Sequence, residues 1–194
     1  IWLPLYLSIA YVMFRRFPWR VNLACLLVLA LVITINDQLS GSLIRSSVGR
    51  LRPANPANPI SPLVHIVDGY RGGRFGFPSA HAANCWGLTF FMLYVFRRHL
   101  LTATLVVWAC LTCWSRMYLG VHYFGDVLAG TLIGFITASI VYYVFQRSLH
   151  QVTETFKPYQ EDAPHMYVPV IVCWTEMALM LLLSSHFNVS TDSI

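Results

Sequence analysis

Charge is what this chain has least of. Only 11% of its 194 residues are charged, against 57% hydrophobic, and the mean hydropathy is +0.59. A soluble domain carries about 25% charged residues, so the balance excludes one and points to an integral membrane protein. Acids are the scarcer sign, eight against thirteen Lys and Arg, for a formal charge of +5. An extended basic face is also missing, because the basic residues stand in short clusters at the ends of apolar runs. That placement suits anionic lipid and a phosphorylated substrate and makes nucleic acid a poor partner. No Cys, His, Asp and Glu cluster has metal-ligand spacing, so metal-free chemistry without a cofactor is the economical expectation. The cysteines, Cys25, Cys85, Cys110, Cys113 and Cys173, are scattered through apolar runs. The C-x-x-C of Cys110 and Cys113 has no partner pair and reads as packing. No repeat or low-complexity tract stands out. The first residue is Ile inside an apolar run, as expected for part of a longer chain.

What the chain has is long apolar runs. Residues 1–14 read as the tail of one span, and 22–44, 79–96, 100–119, 124–145 and 166–185 read as further ones. The expected fold is all-α, a polytopic transmembrane helical bundle with about six spans. Residues 1–194 form one membrane domain with a catalytic core at about 22–145, a polar loop at 146–165 and an additional C-terminal span at 166–186. Residues 45–78 cannot span. They hold Pro53, Pro56, Pro59 and Pro62, and carry Arg45, Arg50, Arg52, Arg71 and Arg74 against one acid, Asp68. This is irregular-loop chemistry, either a run of solvated charge or an electropositive lid. Gly130 and Gly134 form a G-x-x-x-G, which marks close helix approach or common background alike. Asp37 can pair with an arginine across the site or cap a loop.

Polar residues collect at one set of span ends. Ser115-Arg116 closes one run, and His122 and Asp126 follow. A helix beginning near Tyr123 puts Asp126 within reach of the His122 ring. A carboxylate on one imidazole nitrogen fixes the tautomer and makes the other a better nucleophile. Any one of these residues alone would only mark a wet loop. With them come Arg45, Arg52 and Arg116, which can surround the equatorial oxygens of a transferring phosphoryl group. Pro78-Ser79 opens a helix whose free N–H groups at Ala80 and His81 attract anions, and the Ser79 hydroxyl adds a donor. His81, in that first turn, is placed to protonate a leaving alkoxide. Arg50, Arg71 and Arg74 are candidate headgroup contacts. Seven basic residues mark the opposite loops and six the site side, so raw counting hardly decides topology. With the site-side arginines held there for phosphate, the positive-inside rule turns the site outward.

These residues resemble the type 2 phosphatidic acid phosphatase (PAP2) superfamily of membrane lipid phosphatases, whose motifs are K-x6-R-P, P-S-G-H and S-R-x5-H-x3-D. Here they read Arg45-x6-Arg52-Pro53, Pro78-Ser79-Ala80-His81 and Ser115-Arg116-x5-His122-x3-Asp126. The likeness covers about 22–145. It implies a covalent phosphohistidine on His122, His81 as acid and then base, and no metal. Arg45 stands for a lysine, replacing a point charge by a fork, and Ala80 for a glycine, strained if φ must be positive there. Substrates implied are undecaprenyl diphosphate, lipid A phosphate, phosphatidylglycerophosphate and phosphatidate, and the loop arginines favour a polyanionic headgroup. The expected place is a bacterial inner membrane with the site facing the periplasm. Competing readings are a phosphotransferase using the same phosphohistidine, and an anion transporter or scaffold, which the intramembrane acids Asp37 and Glu176 would suit. The vanadium haloperoxidases share the residue set but are soluble, which this composition is not.

Overall fold

The computed structural model describes residues 2–67, 69–152 and 164–189. Asp68 and most of the expected polar loop at 146–165 lie outside them. The described residues are helical apart from the 49–79 loop and short turns, with a single isolated bridge between Leu51 and Phe75. Helix α1 is Leu3–Arg16, with Pro4 in its first turn, where the missing N–H costs nothing. Helix α2 is Trp19–Asp37; it continues through a π-helical segment, Gln38–Leu43, into a short α3, Ile44–Val48. Helices α4 (Ala80–Phe96), α5 (His99–Tyr118), α6 (Phe124–Val152) and α7 (Val168–Val189) follow.

Four segments among the described residues are long and apolar enough to cross a membrane: Trp19–Val48, His99–Tyr118, Phe124–Ser148 and Pro164–Leu183. The expected six is therefore too high. The reason is length: α1 has 14 residues and α4 has 17, and at about 1.5 Å per residue neither reaches the roughly 30 Å of a hydrocarbon core. The boundaries also move. The second segment runs to Val48 rather than 44, because the π turn carries the helix on past the polar residues at 36–40. Helix α6 continues beyond 145, its emerging end braced by Arg147 Nη1 donating to the Tyr143 hydroxyl one turn earlier at 2.7 Å.

The spans are buried over only 22–33% of their apolar windows, and side chains such as Leu27, Leu132, Ile140 and Leu181 point outward. That is the surface of a bundle solvated by lipid, where apolar side chains need no cover. Helix α4 is the exception and lies at the centre, packed by α2, α5 and α6. It buries Phe91, Met92, Val95 and Phe96 almost completely.

The seam between α4 and α6 brings backbone against backbone. A Cβ on Gly130 would stand 2.3 Å from the Ser79 carbonyl, and one on Gly134 2.4 Å from that of Ala83. The G-x-x-x-G is thus a packing face, since only glycine lets these backbones meet. Gly87 plays the same part for α2, its missing Cβ leaving room for the Asn36 amide, which donates to the Ala83 carbonyl at 2.9 Å. Helix α1 leans on α7 and barely touches α2. A cavity of about 790 Å³ opens between them, walled by α1, α2, α4 and α5. Helix α7 is fastened to the outside, with Trp174 Nε1 donating to Thr104 Oγ1 at 3.3 Å.

Candidate active site

The glycine seam brings two helix N-termini side by side. The Ser79 N–H donates to the Asp126 carbonyl at 3.0 Å, joining the start of α4 to the first turn of α6. Ser79 is fully buried, and its hydroxyl accepts from the Ala82 N–H at 3.4 Å as the N-cap of α4. It serves the helix end first. Ala80 is the first residue of α4 with ordinary helical backbone, and Arg97 is the one non-glycine with positive φ among the described residues. The alanine therefore meets no backbone strain.

Asp126 is 0% exposed and His122 is 4% exposed. Their spacing of four does bring them together, with His122 Nδ1 3.5 Å from Asp126 Oδ2. The same Oδ2 accepts the Tyr123 N–H at 2.7 Å, so the carboxylate also caps α6. Its other oxygen is taken by Arg50, whose guanidinium lies over the rings of Phe77 and Tyr123 at 4.6 and 5.2 Å. Two glycines make room. Gly120, at φ +67°, turns the chain after α5, and a Cβ on Gly76 would press Asp126 Oδ2 at 3.3 Å.

Burial, then the positive fields of Arg52 and Arg45, push the His122 pKa down to about 3. The ring is neutral at physiological pH, as a nucleophile must be. Arg52 is itself pushed down, by burial first and then by Arg45. Cations this crowded and desolvated are short of an anion. Arg52 is fixed by Nε donating to the Phe75 carbonyl at 3.0 Å and by Gly72, at φ +65°, whose Cβ would lie 2.6 Å from Arg52 Nη1. Arg45 donates through Nη2 to the Pro78 carbonyl at 3.2 Å, so one branch of its fork ties the first motif to the second. Arg116 and His81 line the head of the cavity, where Arg116 Nε donates to the Ser115 hydroxyl at 3.3 Å.

The three candidate headgroup arginines are placed differently. Arg50 holds Asp126. Arg71 donates to the Ala54 carbonyl at 2.7 Å and to the Ser61 hydroxyl at 3.0 Å, bracing the loop. Arg74 is exposed, with its guanidinium over Phe75. Asp37 takes neither of its expected roles, instead accepting from Asn84 Nδ2 at 2.8 Å. Sequence reasoning passed over Asn58, which donates to the Arg52 carbonyl at 2.9 Å and to the Tyr123 hydroxyl at 2.8 Å. Its only signal was an asparagine in a proline-rich loop. The π segment was missed as well; its extra residue rotates all that follows by about 100°, re-aiming Arg45.

A family model of the PAP2 superfamily matches residues 8–150, well over half of the chain. The chain belongs to the PAP2 superfamily. The PAP2 match is wider than the likeness carried by the motifs, taking in most of α1 and nearly all of α6. A curated relative from Bacteroides thetaiotaomicron, named lipid A 4'-phosphatase, is 45% identical over 84% of this chain and 70% of its own length. A second with the same name, from Porphyromonas gingivalis, is 33% identical over 76% of this chain and 63% of its own. No solved structure matches. Family and relatives together make this PAP2 chain a membrane phosphatase acting on lipids.

Proposed function

We propose that the chain hydrolyses a phosphate monoester on a glycolipid of the lipid A type through a phosphohistidine on His122. The observation that carries this reading is the buried His122–Asp126 pair beneath Arg45 and Arg52, with His81 and Arg116 heading a large, mainly apolar cavity. Phosphate oxygens rest among the three arginines and the N-terminus of α4. The free ring nitrogen of His122 attacks phosphorus as the P–O bond to the headgroup breaks, and the leaving oxygen takes a proton from His81. Water then attacks the phosphohistidine, His81 takes its proton, and phosphate and neutral His122 are restored. Asp126 orients the ring and balances its transient positive charge.

The names of the two relatives favour lipid A over the other family substrates, and the apolar cavity offers acyl chains a place next to the chemistry. We place the protein in the bacterial inner membrane with the site toward the periplasm. Arg15, Arg16, Arg97, Arg98 and Arg147 stand at the helix ends opposite the site, which the positive-inside rule assigns to the cytoplasm.

The deciding experiment is phosphate release by detergent-purified protein with EDTA present. Substrates are lipid A, undecaprenyl diphosphate, phosphatidylglycerophosphate and phosphatidate, with His122→Ala alongside. Release from lipid A that is lost in the variant is expected. Inhibition by EDTA would overturn the metal-free mechanism. Phosphate appearing on a second lipid instead of in solution would make the chain a transferase.

A further inference from the structure

Phosphoryl chemistry occupies Arg45, Arg52, Arg116 and the two histidines, and leaves a polar pair one turn deeper. Asn84 follows His81 by three residues, on the same face of α4, and Asp37 meets it from the last turn of α2. Both line the cavity next to His81, and beyond them the lining becomes apolar, with Ile33, Leu29, Leu88 and Trp108. The cavity is therefore layered. Phosphate-binding groups form its head, Asp37 and Asn84 a polar collar, and hydrocarbon its body.

The collar is more than a tie between helices. One residue before Asp37, Asn36 already fastens α2 to α4 through the Ala83 carbonyl. The Asn84–Asp37 bond uses Asn84 Nδ2 and Asp37 Oδ1, while Asn84 Oδ1 is buried and accepts nothing from the protein. Asp37 is exposed to the cavity and makes no salt bridge among the described residues. Its charge reaches both His81 and Arg45. What the collar offers the cavity is the Asp37 carboxylate, one negative charge with its acceptor oxygens, held in place by Asn84.

A headgroup with its leaving oxygen at His81 and its hydrocarbon in the cavity lies beside this collar. We infer that the Asp37 carboxylate, positioned by Asn84, forms a leaving-group subsite that accepts hydrogen bonds from the hydroxyl or amide N–H groups of a sugar headgroup and repels a second phosphate. The inference rests on the phosphatase reading above and names its specificity. A sugar monoester presents donors to this carboxylate. A polyprenyl diphosphate presents a second anion against the Asp37 carboxylate and no donor, so it is disfavoured twice.

The test compares kcat/KM for lipid A with that for undecaprenyl diphosphate, using purified protein, Asp37→Asn, Asn84→Ala and His122→Ala, with thermal unfolding of each. Asp37→Asn keeps the shape and removes the charge. It should lower the lipid A value about tenfold and raise the diphosphate value, collapsing the ratio by more than tenfold. Asn84→Ala should lower the lipid A value alone, by about tenfold. Equal losses on both substrates would reduce the pair to a helix tie and overturn the subsite. An unmoved ratio, with hydrolysis still abolished in His122→Ala, overturns the subsite and leaves the phosphatase reading standing. If the unsubstituted protein hydrolyses neither lipid, the phosphatase reading itself falls.

Discussion

Helix α4 faces two neighbours in opposite ways. Against α6 it is closed: Gly130 and Gly134 bring backbone onto backbone, and a single methyl group would not fit. On its other side, toward α1, it is open, and side chains line a cavity of about 790 Å³. The closed side holds what must not move, since Ser79, His122 and Asp126 hang from the joined helix ends. The open side is where a substrate's hydrocarbon can enter. One short helix serves both because its small residues are gathered on one face. On the proposed function, precision at phosphorus would come from the seam and choice of lipid from the cavity.

Five substitutions, one of them a control, test that contrast. The largest effect is expected at the closed side's chemistry. His122→Ala should lower phosphate release by about 10⁴-fold or more while the protein still unfolds at an unchanged temperature; a residual rate within tenfold would remove His122 as nucleophile. Next comes the seam itself. Gly134→Leu should cost about 3 kcal/mol or more of stability, because the Ala83 carbonyl and the Gly87 N–H leave no room. Leu132→Ala, on the lipid-facing surface of the same helix, should change little. Thermal unfolding in detergent compares the two, and equal behaviour would mean that the seam is not what holds the helix ends.

Arg50→Met comes third, with a loss of about a hundredfold in kcat and little change in KM expected from the pairing of Arg50 with Asp126. It also has a pH signature. Burial holds the His122 pKa down to about 3, below its ordinary value, so the neutral ring persists as pH falls. Without Arg50, the uncompensated Asp126 charge favours the protonated ring, and the acid limb of kcat/KM should move upward in pH. A raised KM with an unmoved profile would return Arg50 to the headgroup. The smallest effect belongs to the open side. Ile33→Trp should narrow the cavity and lower kcat/KM for a long-chain lipid about tenfold, while sparing a short water-soluble phosphomonoester. Equal losses on both would detach the cavity from lipid binding.

The membrane class, the helical bundle and the three motifs were legible along the chain, for a plain reason. Hydropathy is summed along the chain, and the His122–Asp126 spacing is a local property of a helix start. The same holds for Ser79 as a cap. Tertiary structure decided the rest. Among Arg45, Arg50, Arg52, Arg71 and Arg74, nothing in composition tells which guanidinium has an acceptor of its own, because the partners of Arg50 and Arg71, Asp126 and Ala54, are set by how the loop folds back. The span count fell to four because helix ends are fixed by caps and turns, such as Ser79 and the left-handed Arg97, rather than by the edges of apolar runs. The G-x-x-x-G acquired meaning only when Ser79 and Ala83 were found against it. Asp37, ambiguous on paper, meets Asn84 because the packed Asn36 beside it sets α2 against α4. Such contacts join residues 47 apart in the chain, and no local pattern records them.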